Sequence, residues 1–226
     1  LSLIKGDTAF KPPDYEFRLT PIINFNHVEV EENRVLKADP RLGRHRSDRH
    51  IALAEAFFDY HIRNVSDRYD FDSVRIGIQP FSSDFRGFLF QDSQLGIRFF
   101  GDRDNNIFQY NLAWFRRLEK DTNSLLNHIE RKIRDDDIFI ANLYWQDFPV
   151  LGFQSQVTGI YNRNNEAGDF FFNDNEFIER PASFGSERGR NYDVVYLGYN
   201  GDGHFDRLNL TTSFYTALGS NRDSAF

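Results

Sequence analysis

The chain has 226 residues, long enough for one domain with a sizeable core. A net charge of −7 and a pI of about 5.4 argue against a nucleic-acid binder. There is no cysteine, which excludes a disulfide scaffold or a thiolate metal site, and Phe and Tyr dominate an aromatic content of 16%. Mean hydropathy is −0.59, and no run approaches the roughly 20 apolar residues of a spanning helix.

The predicted elements begin after an irregular lead-in, residues 1–13, that ends in Pro12-Pro13. Leu1-Ser2-Leu3-Ile4-Lys5 lacks the basic start and apolar run of a signal peptide, and the chain has no Met. The expectation is therefore a piece of a longer precursor. Residues 15–25 alternate, with Tyr15, Phe17, Leu19, Pro21, Ile23 and Phe25 on one face and Glu16, Arg18, Thr20 and Asn24 on the other. Pro21 points to an edge, a bulge or a break. A short strand is expected around Val28-Glu29-Val30. Residues 31–49 are polar, with Arg41, Arg44, His45, Arg46 and Arg49 reading as a solvated loop or as an anion or lipopolysaccharide contact.

Residues 50–63 fit a helix by propensity. The strand reading is favoured because the flanking segments are strands. It sets Ala52, Ala54, Ala56, Phe58, Tyr60 and Ile62 against Leu53, Glu55, Phe57, Asp59 and His61. Three clean alternations follow at 74–79, 94–99 and 108–114. One face carries Ile76, Ile78, Leu95, Ile97, Phe99, Tyr110, Leu112 and Trp114. The other carries Arg75, Gln79, Arg98, Gln109, Asn111 and Arg117. A period of two places these sets on opposite sides of a sheet. A greasy outside with a wet inside is the arrangement of a transmembrane barrel. A soluble antiparallel sheet with one wet face gives the same pattern.

Residues 82–87 are turn-rich, and 101–106 is a strong hairpin turn. Residues 119–136 form a polar excursion in which Leu125, Leu126, Ile129 and Ile133 predict a short amphipathic helix on a long loop. Strands are predicted again at 137–146, 151–161, 192–199 and 205–218, with turns at Asn162 to Asp169 and at Asn200-Gly201-Asp202-Gly203. The total is about ten strands, joined mostly in hairpins, in a single domain spanning 1–226.

Phe71-Asp72-Ser73-Val74-Arg75-Ile76-Gly77-Ile78-Gln79-Pro80-Phe81, followed by Phe85-Arg86-Gly87-Phe88-Leu89-Phe90-Gln91-Asp92, resembles Gram-negative outer-membrane β-barrel proteins, both porin-like and TonB-dependent-receptor-like. The likeness extends over about 15–218. It departs from the receptors in showing no plug domain and no TonB-contacting segment. Asn221 to Ala225 do not alternate, so the final-strand pattern before Phe226 is missing. The resemblance implies an antiparallel up-and-down barrel, or part of a larger one, in the bacterial outer membrane. The aromatic face would then touch lipid, and Glu55, Asp59, Arg75, Gln79, Arg98, Gln109, Asn111 and Arg117 would line a pore.

No nucleophile elbow, P-loop, HExxH or cysteine metal motif is present, so neither a catalytic residue, a metal site nor a cofactor is expected. The six histidines lack ligand spacing. Glu55 and Asp59 lie about 13 Å apart on a strand, too far for a retaining glycosidase pair. Asp202 with Asn200, and Asp174 with Asn173, Asn175 and Glu176, are oxygen-rich but read as polar turns. Asp135-Asp136-Asp137 reads as a solvated charge run.

Two functions follow as expectations. The first is passage or uptake of a polar solute through an outer-membrane barrel, with lipid, the solute and further envelope proteins as partners and no nucleic acid. The alternative is a soluble extracellular β-sandwich that binds glycan.

Overall fold

The computed structural model describes residues 1–6, 12–29, 45–121, 124–172 and 189–222. Ten antiparallel strands form one up-and-down sheet in sequence order. They are β1 (Ser2–Lys5), β2 (Tyr15–Glu29), β3 (His45–Asn64), β4 (Phe71–Ser82), β5 (Gln91–Arg103), β6 (Phe108–Arg116), β7 (Asp136–Trp145), β8 (Phe153–Asn165), β9 (Asn191–Phe205) and β10 (Leu208–Asn221). β1 and β10 do not pair with each other, so the described sheet is open.

Most strands lie where alternation placed them, and four differences are instructive. Part of the lead-in is a strand: β1 pairs with β2 through Leu3↔Phe17, and Leu1 exchanges backbone hydrogen bonds with Leu19. So short a segment carries no period of its own, and its partner supplies the conformation. In β3 the register slips, so that Thr20 faces Glu55 but Pro21 faces Leu53, leaving Ala54 as a bulge. A bulge inserts one residue and reverses the faces beyond it. Ala52 is therefore buried and Ile51 is 62% exposed, the opposite of the uninterrupted alternation expected for 50–63. Asn200-Gly201-Asp202-Gly203 is not a turn but lies inside β9, and the turn falls at 206–207, where Asp206 has φ 52°. Likewise Asn162–Asn165 still belong to β8.

The expected helix is absent among the described residues of the 117–135 connection. Asp121 accepts hydrogen bonds from the Ser124 amide and hydroxyl, Leu125 sits at φ 59°, and Lys120 bridges to Asn127. Local side-chain bonds outcompete the helical ladder here.

The connections are unequal. At one end they are nine residues or fewer: 6–14, 65–70, 104–107, 146–152 and 206–207. At the other they run over 30–44, 83–90, 117–135 and 166–190. The 104–107 turn works because Asp104, Asn105 and Asn106 all take positive φ, which Asn and Asp tolerate.

The sheet curls. Asp84 lies only two residues beyond the end of β4, a span of at most about 7 Å. Its carboxylate nevertheless accepts a 3.1 Å hydrogen bond from Tyr215 on β10. On a flat sheet β4 and β10 would be about 29 Å apart. The concave face therefore wraps around the 83–90 connection. A core forms inside it from Phe81, Phe90, Ala113, Phe115, Ile138, Ile140 and Ile160. Gly96 admits the core ring: a Cβ there would sit 2.5 Å from Phe115 Cδ1.

Candidate functional site: a polar interior behind an apolar face

Register alone brings the predicted wet residues together. Asp59 faces Arg75, Arg75 faces Arg98, and Gln79 faces Gln94. Gln109 and Asn111 share that concave side, facing Tyr144 and Asn142. Glu55 shares it as well, since the bulge lies beyond it.

Each polar group has a defined environment. Asp59 Oδ2 receives both Arg75 Nε at 2.8 Å and Nη2 at 2.7 Å, while the guanidinium stacks 4.3 Å over Phe57. Glu55 accepts from Thr20 at 2.9 Å and lies 3.6 Å from Arg18. Gln79 is fully buried and donates to the carbonyls of Arg75 and Gly96. Arg98 Nε donates to Asn111 at 2.7 Å, and Asn111 donates on to Asn142 at 2.8 Å. Gln109 donates to Asn106, and Arg117 lies 3.4 Å from Asp136. These contacts hold the side chains in place, as buried polar groups require.

The inward turn of 83–90 was not legible in the sequence. The Ser83 carbonyl accepts from Asn142, Gln156 and Thr158, donors on two strands, at 3.1, 2.8 and 2.9 Å. Asp84 accepts from the amides of Arg86, Phe88 and Leu89 and from the Ser83 hydroxyl. Burial alone would push the Asp84 carboxyl up. The amides of Leu89 and Phe88, the Ser83 hydroxyl and the Arg86 amide outweigh it and hold it below the usual 3.8. Phe88 stacks on Tyr215 with centroids 4.8 Å apart, and Phe85 lies 5.5 Å from Tyr144. Ser82-Ser83-Asp84 and Gly87 announce a turn, but not the side of the sheet on which it lies.

Two further clusters were missed. Arg134 binds Glu166 at 2.7 Å and Asp136 at 3.1 Å, with Asn162 donating to Asp136 and Asn164 to Glu166. Asp136 is therefore a buried ion-pair partner and not part of a solvated charge run. At the short-turn end Asp72 gathers Arg63, Arg103 and Tyr110. Extending the two-residue period into β7 and β8 would have found Asn142, Gln156, Thr158, Asn162 and Asn164.

The convex face is different. Ile76, Ile97, Leu112 and Trp114 are exposed, as are Phe139, Val157, Tyr161, Leu197 and Phe214, while Leu95, Phe99 and Tyr110 are half-buried. Ile78 shares the face but is buried. Ala141 and Gly159 lack bulk, so a shallow apolar trough of about 650 Å³ runs between Leu112, Trp114, Phe139, Tyr161 and Val195. A charged row ends the band: Arg116, Asp137, Arg163 and Asp193 are register partners or near neighbours. Just inside that row Trp114 donates to Asp137 and Tyr161 to Asp193, each at 2.9 Å.

Among the described residues no His, Asp or Glu group is arranged to hold a metal. Asp202 and Asn200 lie on β9, bonded to Thr211 and Tyr215. Asn173 to Glu176, Val30, Arg41 and Arg44 fall outside the described residues.

These features define a class: an all-β, up-and-down sheet with an apolar convex face and a hydrogen-bonded polar interior. No family model, curated protein or solved structure matches the chain.

Proposed function

We propose that the chain forms all or part of a bacterial outer-membrane β-barrel that passes or takes up a polar solute. The observation that carries this reading is the exposed apolar band on the convex face, from β3 to β10, ended by Arg116, Asp137, Arg163 and Asp193. Large apolar surface of this extent calls for a lipid or protein covering. Indole and phenol groups that turn their polar atoms to the charged row suit a membrane–water boundary. β6 and β7 have 9 and 10 residues, the length a tilted strand needs to cross hydrocarbon. Short turns at one end and long loops at the other match the asymmetry of such barrels. No unpaired strand edge is tolerated in lipid, so β1–β2 and β10 join each other or further strands there.

Ile76, Ile78, Leu95, Ile97, Phe99, Tyr110, Leu112 and Trp114 then form the lipid side. Glu55, Asp59, Arg75, Gln79, Arg98, Gln109, Asn111 and Arg117 form the lumen side, with no catalytic step assigned to them. Because 83–90 fills the curl, passage requires this segment to move.

A second reading rests on the Phe81–Phe90–Phe115 cluster, which resembles the packed interior of a soluble β-domain whose outer aromatics take glycan. Purification with and without detergent separates the two. A barrel needs detergent, and its gel mobility shifts on boiling. A monomer that stays dispersed in plain buffer removes the membrane reading.

A further inference from the structure

Arg98 differs from the other interior arginines. Arg75 is neutralised by Asp59, Arg117 lies against Asp136, and Arg18 meets Glu16 and Glu55. Among the described residues no carboxylate lies within ion-pair distance of Arg98. Its only hydrogen bond runs from Nε to the neutral amide oxygen of Asn111. Directly across the strand pair stands Arg75, a like charge. Opposed like charges on neighbouring strands are destabilising. A half-buried cation beside another cation calls for a counter-charge.

The geometry says where that charge would sit. The guanidinium plane is covered, with Phe100 at 4.3 Å and Phe81 at 5.2 Å from its carbon. Nε is taken by Asn111. What remains is the Nη1–Nη2 edge, two parallel N–H groups in the plane of the fork. That edge matches two oxygens of one acceptor, the bidentate geometry of a carboxylate. Stacking and the Asn111 bond fix the fork before any ligand arrives, so little side-chain entropy is lost on binding. Both Nη atoms lack a hydrogen-bond partner among the described residues yet are not fully buried, so the edge reaches open space, while Gln79 and Phe115 are fully buried.

We propose that the free Nη edge of Arg98 is a recognition site for a carboxylate-bearing solute inside the curl of the sheet. This rests on the solute-passage reading and names the solute's class. The bound carboxylate offsets the Arg75–Arg98 repulsion, and Asn111 acts as a positioning residue.

The test uses the full chain folded in detergent, with benzoate as probe, benzamide as its neutral counterpart and inorganic phosphate as a rival oxyanion, read by titration calorimetry. Benzoate should bind saturably, and benzamide at least about tenfold more weakly, since it loses the charged bidentate pair. R98Q should abolish benzoate binding. R98K should bind at an intermediate level, because it keeps the charge and loses the fork. If R98Q does not fold, R98K and the benzoate–benzamide contrast carry the test. Equal binding of benzoate and benzamide, or unchanged binding by R98K and R98Q, overturns the site. Phosphate binding more tightly than benzoate overturns the carboxylate assignment. The two readings fail separately. A folded barrel in detergent with no benzoate binding leaves the membrane reading standing, whereas binding by a protein that needs no detergent keeps the site and removes the membrane.

Discussion

Neighbouring residues on β6 meet opposite environments. Leu112 is 53% exposed on the convex side, and Asn111 is 6% exposed on the concave side. In an ordinary soluble sheet the apolar residue is the one that hides. Here polar groups are hidden and hydrogen-bonded, while many large apolar groups face outward. The inversion is incomplete, because Phe81, Phe90, Phe115, Ile138, Ile140 and Ile160 form a real core inside. The comparison teaches that the two faces are held by different forces. The inside is held by packing and by geometry-specific polar bonds. The outside relies on whatever medium covers it.

The largest effect should come from inside. Phe115→Ala removes a fully buried ring that touches Phe81 and Phe90 at 5.3 Å each. It should cost about 4 kcal/mol in a urea unfolding series, in detergent or out of it. A small loss would mean that the inner cluster is not the core.

Leu112→Arg should cost about 3 kcal/mol in lipid vesicles if the residue lies near the bilayer midplane. Gln109→Arg, on the concave face, should cost less than about 0.5 kcal/mol. Equal penalties at the two sites would break the two-faced comparison. A penalty at Leu112 that vanishes in plain buffer would tie it to lipid.

Asp84→Ala strips the acceptor from several amides and from Tyr215, and should cost about 2 kcal/mol or more. The charge also sets a pH dependence. The folded carboxyl titrates below 3.8, so its stabilisation is present at neutral pH and above 3.8. It is lost as pH falls through the lowered folded value. Hydrogen exchange at the Phe88 and Leu89 amides should show protection falling only at those acid values. Loss of protection already near pH 6 would mean that another group holds the segment.

The smallest effect concerns 117–135. Asn127 donates to the carbonyls of Leu53 on β3 and Ser93 on β5, at 3.3 and 2.9 Å. Asn127→Ala should cost about 1 kcal/mol, measured as a shift in urea midpoint. No shift would mean that this connection only rests on the sheet rim.

The sequence by itself determined the strands and their two faces. Period-two alternation is a local property, and the predicted lumen residues from Glu55 to Asn111 fall on one side by register, while Arg117 lies just beyond the end of β6. It determined the hairpin at 104–107 for the same reason, because Asn and Asp carry their turn preference with them. Tertiary structure decided the rest. β1 exists because β2 offers it a ladder. Ala54 bulges where Pro21, which has no N–H to donate, interrupts the β2–β3 pairing, and Ala52 and Leu53 lie on the faces opposite to those expected. The 83–90 turn points inward because Asn142, Gln156, Thr158 and Tyr215, distant in sequence, converge on Ser83 and Asp84. Arg98 is left without a carboxylate because its cross-strand neighbour Arg75 takes Asp59. Each of these outcomes depends on contacts between residues far apart in the chain, and no local period records them.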